Sequence, residues 1–194
     1  MKDYLSLVKF SHTVFAMPFA FTGFALGVTV GGKSFSWQIL VLVVLCMIFA
    51  RNAAMGFNRI ADRYYDALNP RTSSREIPSG KIDVRSATFF VVINSILFIV
   101  SAGLINRLTL ILSPVALAII LGYSLTKRFT LLCHFILGLG LSLAPVGAYI
   151  SVTGKFHTLP VLFSLLVISW VSGFDIIYSL QDDQFGRENR LMSI

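Results

Sequence analysis

The chain has 194 residues, of which 56% are hydrophobic and only 13% are charged, and its mean hydropathy is +0.80. This composition excludes an ordinary water-soluble domain and indicates a protein whose solvent is the lipid bilayer. The net charge of +7 does not indicate nucleic acid binding, because the basic residues lie in short loops between apolar runs, where membrane orientation accounts for them.

Six uncharged runs divide the chain, and each is close to the ~20 residues that a membrane-spanning helix requires. The runs are continuously apolar and lack the period-two alternation of a membrane β-strand, so helices are expected. The predicted fold class is an all-α membrane protein, a bundle of about six transmembrane helices. The runs cover residues 10–32, 34–50, 86–106, 108–126, 129–154 and 156–174.

The basic residues predict how these helices are oriented. Of the sixteen lysines and arginines, twelve fall on one side of the predicted bundle, and three, Lys33, Arg107 and Lys155, fall on the other. Arg51 lies inside the second predicted span, directly after its uncharged run. Cytoplasmic loops carry the excess of basic residues in membrane proteins. The N-terminus is therefore predicted to be cytoplasmic, in the inner membrane of a cell, and the functional site is expected on the same side, where the varied polar residues lie.

The second run continues into a polar segment that has no helix breaker before Asn69-Pro70. Asn58, Asp62 and Asp66 thus occupy positions i, i+4 and i+8 of one helix, which stack along a single face. Two carboxylates and an amide oxygen are hard donors that suit Mg²⁺ when substrate phosphates also hold it. The spacing therefore predicts a Mg²⁺ site on this face.

The alternative for this face is a solvated helix end whose acids pair with Arg59 and Arg63. A second acidic cluster favours the metal site. At the end of the sixth run, Asp175, Tyr178 and Asp182 lie at i, i+3 and i+7, and an ionisable group inside an apolar helix usually marks function. Two acidic faces on one side of the membrane can each hold a cation against one diphosphate and neutralise it as a leaving group.

Basic residues in the same loops are candidates for contacts with phosphate oxygens. Arg71 and Arg75 follow the first acidic cluster, and Lys127 and Arg128 follow the fourth run. The alternative for this last pair is a role in topology alone. Arg51 lies about a turn inside the membrane boundary, where it either snorkels to the surface or binds an anionic substrate.

Asn94 and His134 are two further polar residues near or inside the runs, and both are expected to hydrogen-bond to neighbouring helices. A transporter with an intramembrane cation pathway would carry acids near mid-membrane and internal repeats. The acids of this chain collect at one surface instead. The sequence does not indicate an oligomeric state.

The paired acidic motifs resemble those of the UbiA superfamily of intramembrane aromatic prenyltransferases. The first motif of that family, N-x-x-x-D-x-x-x-D, corresponds to residues 58–66, NRIADRYYD. The second, D-x-x-Y-x-x-x-D-x-x-x-D, corresponds to residues 175–182, DIIYSLQD, and then departs, because its last position holds Gly186. Residues 123–130, YSLTKRFT, and 143–148, LAPVGA, are similar to the 4-hydroxybenzoate polyprenyltransferase branch and its relatives in menaquinone synthesis.

The resemblance implies that both motifs bind Mg²⁺ and a polyprenyl diphosphate, that the allylic C–O bond ionises, and that the resulting cation alkylates a ring carbon of an aromatic acid. An apolar and aromatic pocket would shield that cation from water. The residues expected in catalysis are Asp62, Asp66, Asp175 and Asp182. The expected metal ligands are Asn58, Asp62, Asp66 and Asp182. The expected substrate contacts are Asn58, Arg51, Arg71, Arg75, Lys127, Arg128 and Tyr178.

The resemblance also implies a fold of nine transmembrane helices, whereas this chain ends at Ile194, soon after the second motif. We therefore expect a single transmembrane domain over residues 1–194 that lacks the last three helices of the family fold. The expected pathway is ubiquinone biosynthesis with a 4-hydroxybenzoate-like acceptor. The alternatives are a naphthoate-type acceptor in menaquinone synthesis, or an inactive truncated product. Glu188 is a candidate replacement for the carboxylate missing at Gly186.

Overall fold

The computed structural model of the protein describes residues 2–8 and 10–182, and all regular secondary structure in these residues is helical. The seven α-helices are followed by a short 3-10 helix, Leu180–Asp182. In chain order they are α1 (Lys2–Val8), α2 (Phe10–Thr29), α3 (Trp37–Leu68), α4 (Val84–Ile105), α5 (Arg107–Thr126), α6 (Cys133–Thr153) and α7 (Thr158–Ser179).

Five of these helices, α3 to α7, are long and apolar enough to cross a membrane. The apolar part of α2 that the structure describes is shorter and covers Ala16–Thr29. Large apolar side chains such as Trp170 and Phe174 are exposed on the outside of the bundle, as expected for a protein whose neighbours are lipid chains. The predicted all-α membrane bundle is confirmed.

Small residues let these helices approach closely, which is how membrane helices associate in the absence of a hydrophobic driving force between them. Gly23 of α2 faces α6, where an added Cβ atom would lie 2.1 Å from the backbone oxygen of Pro145. Gly138 of α6 packs in the same way on α7, against Ser172 and the backbone of Ile168. The bundle is therefore held together by tight contacts between backbones.

Interhelical hydrogen bonds add to this packing. Asn52 of α3 donates its amide to the Asn94 side chain of α4 at 3.0 Å, which confirms the predicted role of Asn94. Asn106, between α4 and α5, donates to the carbonyl of Ile150 in α6 at 3.0 Å. In the low dielectric of the membrane such polar side chains need partners, so these bonds help to select which helices pair.

The short helix α1 lies at the end of the bundle where the α3–α4 loop is found. Leu7 is completely buried in a cluster with Ile77 and Ile82 of that loop and Ala87 of α4, and the ring of Tyr4 lies 5.2 Å from that of Phe90. This helix was not among the predicted elements. It packs on the loop that carries the basic residues of the candidate site.

Candidate active site

The acids of the first motif lie on the polar extension of α3. The helix continues to Leu68, as predicted, and the backbone N–H of Asn69 closes its end on the carbonyl of Tyr65 at 3.1 Å. Asp62 and Asp66 are 4% and 6% exposed, so the face they share is covered by the rest of the protein and not by solvent.

Asp62 is held by two neighbours. Its Oδ2 atom accepts a hydrogen bond from the Asn58 amide at 3.1 Å and lies 2.6 Å from Nζ of Lys127, which follows α5. The Asn58 amide also contacts the Ser124 hydroxyl at 3.5 Å, so the end of α5 lies against this face. The Oδ1 atom of Asp62 is buried and has no hydrogen-bond partner among residues 2–8 and 10–182.

Asp66 has the same arrangement with a different cation. Its Oδ1 atom lies 2.7 Å from the guanidinium of Arg75, while its buried Oδ2 atom is without a partner in the described part of the chain. The loop is shaped to present that arginine, because Thr72 donates its hydroxyl to the Asp66 carbonyl at 3.1 Å and Asn69 accepts the Arg71 backbone N–H at 2.9 Å. Each acid thus has one carboxylate oxygen in an ion pair and one without a hydrogen-bond partner among the described residues.

The ion-pair partners of these acids therefore come from other elements and not from the neighbouring positions of α3. The predicted alternative is wrong for Arg63, because its guanidinium is at the surface and donates to the carbonyl of Ile60 at 2.9 Å. Arg59 is only 3% exposed, and its charge lies close to Asp66 and Arg75. Its Nε atom is buried without a hydrogen-bond partner within the described ranges.

Arg128 lies beside Lys127 and fixes the end of α5 to α3. Its guanidinium donates to the Ala61 carbonyl and lies 5.7 Å from the centre of the Tyr65 ring, a distance typical of a cation–π contact. These contacts exceed what a topology signal alone requires. They place a second positive charge next to the acidic face.

The second motif contributes Asp175 and Tyr178 from α7. Asp175 lies 2.7 Å from Nδ1 of His134, which is 3% exposed at the start of α6, so the predicted interhelical bond of this histidine is confirmed. Tyr178 accepts a hydrogen bond from Arg71 at 3.3 Å and has that guanidinium 5.7 Å from its ring centre. Arg71 therefore links the loop after α3 to α7 and brings the two motifs to the same end of the bundle.

The last predicted acid of the second motif lies after the end of α7. The α-helical register reaches only Ser179, and Leu180–Asp182 forms a 3-10 helix, so the predicted i+7 position of Asp182 on an α-helical face is wrong. The side chain of Asp182, together with Gly186 and Glu188, lies outside what the structure describes.

A cavity of about 150 Å³ lies inside the bundle between α2, α3, α5 and α6. Its walls are mostly apolar, and the polar groups that line it include Arg51 and Tyr123. The Nε atom of Arg51 is buried and has no hydrogen-bond partner in the residues described. Ala54 also lines the cavity and lies one helical turn before Asn58, so the cavity leads toward the acidic face.

The residues present fit a divalent cation. The unpartnered oxygens of Asp62 and Asp66 belong to carboxylates one helical turn apart, and carboxylate oxygens are preferred ligands of Mg²⁺. Among the described residues, no three side chains of His, Cys, Asp and Glu come together as a ready-made metal site. A cation here would therefore rely on Asn58 and on substrate oxygens in addition to the two acids.

Sequence reasoning missed three features of this region. It did not find the partners of the acids, the His134–Asp175 pair or the cavity, since all three depend on contacts between helices. The sequence did hold one signal for the cavity and for a partner of Asp62. Tyr123 and Lys127 lie four residues apart at the end of α5 and so share a helical face; Tyr123 lines the cavity and Lys127 reaches Asp62.

The sequence model of the UbiA prenyltransferase family matches residues 16–194. Among curated relatives, the 4-hydroxybenzoate octaprenyltransferase of Aliivibrio fischeri strain MJ11 is 30% identical over 75% of this chain and 51% of its own length. The enzyme of the same name from Marinomonas sp. strain MWYL1 is 30% identical over 94% of the chain and 64% of its own length. The chain spans about half the length of most of the curated relatives it matches.

Solved structures show the same fold. The apo structure of a UbiA homolog from Aeropyrum pernix K1 matches 95% of this chain and 68% of that chain at 35% identity, with a TM-score of 0.87. The structure of a UbiA homolog from Archaeoglobus fulgidus bound to DMAPP and Mg²⁺ matches 98% of this chain and 67% of that homolog's chain, at 23% identity and with a TM-score of 0.79.

Proposed function

The chain belongs to the UbiA prenyltransferase family, and from this premise we propose that its site transfers a polyprenyl group from a polyprenyl diphosphate to a 4-hydroxybenzoate-like aromatic acid. The observation that carries the proposal is the face of α3, where two buried carboxylates each keep one oxygen without a partner among the described residues, on the same helix that lines an apolar cavity up to Ala54. Relatives named 4-hydroxybenzoate octaprenyltransferase support the acceptor, and the expected pathway is ubiquinone biosynthesis.

The diphosphate would bind at the polar end of the bundle. Asp62 and Asp66 would hold Mg²⁺ with Asn58, and with Asp182 from the second motif. When bound, this ion supplies positive charge that neutralises the diphosphate as a leaving group. The phosphate oxygens would also receive charge-assisted hydrogen bonds from the basic side chains that border the face. These side chains are Arg71, Arg75, Lys127 and Arg128.

The aromatic acid and the reacting end of the prenyl chain would lie between the cavity and the acids. Ionisation of the allylic C–O bond gives a carbocation, which apolar walls protect from water. Arg51, a partly buried arginine that lines the cavity, would bind the carboxylate of the aromatic acid and orient its ring. Diphosphate leaves with the electron pair of the broken C–O bond, the carbocation forms a C–C bond to a ring carbon, and that carbon loses its proton to the released diphosphate. Asp175, paired with His134, lies at the same end of the bundle and is the proposed second acidic element.

The decisive experiment removes one charge from the proposed site without changing its shape. Membranes that contain the chain are supplied with a polyprenyl diphosphate, Mg²⁺ and 4-hydroxybenzoate, and the prenylated acid is measured by mass spectrometry. Asp62→Asn should reduce the rate at least ~10²-fold, comparable to the loss of one strong electrostatic element of a transition state. Asp83→Asn is the matched control, because Asp83 is an exposed N-cap and Asn caps helices equally well.

A rate in Asp62→Asn close to that of the Asp83→Asn control would contradict the proposal. An additional reaction with a naphthoate-type acid in place of 4-hydroxybenzoate distinguishes the acceptor classes. Faster prenylation of the naphthoate would assign the chain to menaquinone synthesis and leave the metal-dependent mechanism intact.

A further inference from the structure

Two side chains of this protein already supply positive charge to the proposed metal face. Lys127 lies 2.6 Å from Asp62, and Arg75 lies 2.7 Å from Asp66. The side chains of the two acids are only 6% and 8% exposed, so water screens these ion pairs weakly. Two cations thus balance two carboxylates, and this face is charge-compensated before any metal ion arrives.

A third cation lies next to the pairs. Arg59 is 3% exposed, and its charge interacts with both Asp66 and Arg75. Glu76 adds a negative charge near Arg59, and Arg128 adds a positive charge near Asp62, so the positive charges around the acidic face still outnumber the negative ones. A free divalent cation that enters would increase this excess, whereas a divalent cation that enters with a diphosphate brings its own negative charge.

The two pairs leave ligand atoms available. Lys127 and Arg75 each engage one oxygen of their acid, and the other oxygens, Oδ1 of Asp62 and Oδ2 of Asp66, are buried and without a partner among the described residues. The basic side chains therefore do not block the ligand positions. They oppose a metal ion through their charge, and they hold the carboxylates in place while no metal is bound.

We propose that Lys127 and Arg75 are internal counter-cations, which make the site bind a divalent cation weakly when it is alone and tightly when it comes with a diphosphate. The proposal rests on the proposed function, since it assumes that Asp62 and Asp66 are metal ligands. Lys127 is 29% exposed at the end of α5 and Arg75 is 21% exposed in a loop, so both can turn from an acid to a phosphate oxygen. Positive coupling between metal and diphosphate follows from this exchange.

The test measures metal binding without catalysis. The purified chain in lipid nanodiscs is titrated with Mn²⁺, and free Mn²⁺ is followed by electron paramagnetic resonance, with and without inorganic diphosphate. Without diphosphate, Lys127→Met should bind Mn²⁺ about tenfold more tightly than the unchanged chain, and Arg75→Met should also bind it more tightly. Both changes should fall within the roughly 5–150-fold range that is typical of coupling between two ligands. Diphosphate should tighten Mn²⁺ binding about tenfold in the unchanged chain and much less in either variant.

Three further variants make the outcome specific. Lys81→Met removes an exposed lysine of the same loop and should leave Mn²⁺ affinity unchanged. Lys127→Arg keeps the charge and should keep the weak binding. The double variant Lys127→Met with Asp62→Asn should lose the gain in Mn²⁺ affinity that Lys127→Met shows, because that gain acts through the Asp62 carboxylate.

Unchanged or weaker Mn²⁺ binding in both Lys127→Met and Arg75→Met would overturn the inference. It would also be overturned if Lys127→Arg bound Mn²⁺ as tightly as Lys127→Met does. If Lys127→Met does not fold, Arg75→Met alone decides the question.

Asp62→Asn distinguishes a failure of the inference from a failure of the proposed function. If Asp62→Asn abolishes Mn²⁺ binding and the cation variants do not tighten it, only the inference fails. If Asp62→Asn has no effect with or without diphosphate, the proposed metal site fails and the inference with it.

Discussion

At the scale of single residues, Arg51 gives the sharpest prediction because its charge lies in a mostly apolar cavity. Arg51→Met should weaken binding of 4-hydroxybenzoate about 10- to 100-fold, since a hydrogen bond to a charged group contributes roughly 1.5–3 kcal/mol. Equilibrium binding of radiolabelled acid to the purified chain measures this. The assay contains neither diphosphate nor metal, so it measures the acceptor site separately from the metal site.

Arg63→Met is the matched control for Arg51→Met. Both arginines are on α3, but Arg63 is exposed and donates to a carbonyl of its own helix. Its loss should leave acid binding unchanged. Equal affinity in Arg51→Met and in the unchanged chain would mean that Arg51 only snorkels toward the surface.

The sequence predicted the relative positions of site residues that lie on the same helix. The i, i+4 spacing correctly placed Asp62 and Asp66 together on α3, because helical periodicity determines which side chains share a face. Their cations could not be predicted, since Lys127 reaches Asp62 across a gap of sixty-five positions. The role of each acid as a metal ligand stays a prediction.

At the scale of helices, the contact between α2 and α6 is the most sensitive to side-chain volume. Gly23→Ala would place a methyl group 2.1 Å from the Pro145 carbonyl oxygen, and this backbone atom has little freedom to move. Forcing an extra carbon into such packing costs typically about 1–3 kcal/mol. Thermal unfolding in detergent, followed by circular dichroism, should show a lower midpoint for this variant.

The control for Gly23→Ala is Gly122→Ala on α5, where an added Cβ atom meets nothing within 4 Å. Because alanine is a better helix former than glycine, this control should be unchanged or slightly more stable. A Gly23→Ala variant as stable as the Gly122→Ala control would show that α2 does not pack on α6 as closely as described.

The contact between α3 and α4 includes a polar pair. Asn52 and Asn94 hydrogen-bond at 3.0 Å, and such bonds between membrane helices average about 0.6 kcal/mol in double-mutant cycles. The losses of unfolding free energy in Asn52→Ala and in Asn94→Ala should therefore add up to more than the loss in the double variant, by about 0.6 kcal/mol. Strict additivity would indicate that the two amides do not depend on each other.

The positions of the helices were largely predictable, because the length of an apolar run and the next helix breaker determine where a membrane helix lies. The end of α3 follows from Asn69-Pro70, and Leu68 is indeed its last residue. Helix α1 was missed because seven residues give too little periodicity, and its stability depends on the burial of Leu7 against a distant loop.

At the scale of the whole molecule, the two ends of the bundle differ in chemistry. One end carries Asp62, Asp66, Asp175 and the long α3–α4 loop, whereas the other end has short connections such as the turn at Gly154. The cavity lies between the helices, and its lining reaches Ala54, one helical turn before the first acidic motif. A substrate with a charged head and a long apolar tail is suited to this division, because each part meets a matching environment.

The last prediction is the orientation of this bundle, which rests on the unequal distribution of basic residues and the positive-inside rule. In a chain with Cys46→Ala and Cys133→Ala, single cysteines are introduced at Lys155, in the α6–α7 connection, and at Ser79, in the α3–α4 loop. Both positions are exposed and lie in loops at opposite ends of the bundle. On intact cells, a membrane-impermeant maleimide should label Lys155→Cys, and it should label Ser79→Cys only after the membrane is permeabilised. Labelling of Ser79→Cys on intact cells, without labelling of Lys155→Cys, would reverse the orientation and place the candidate site outside the cytoplasm.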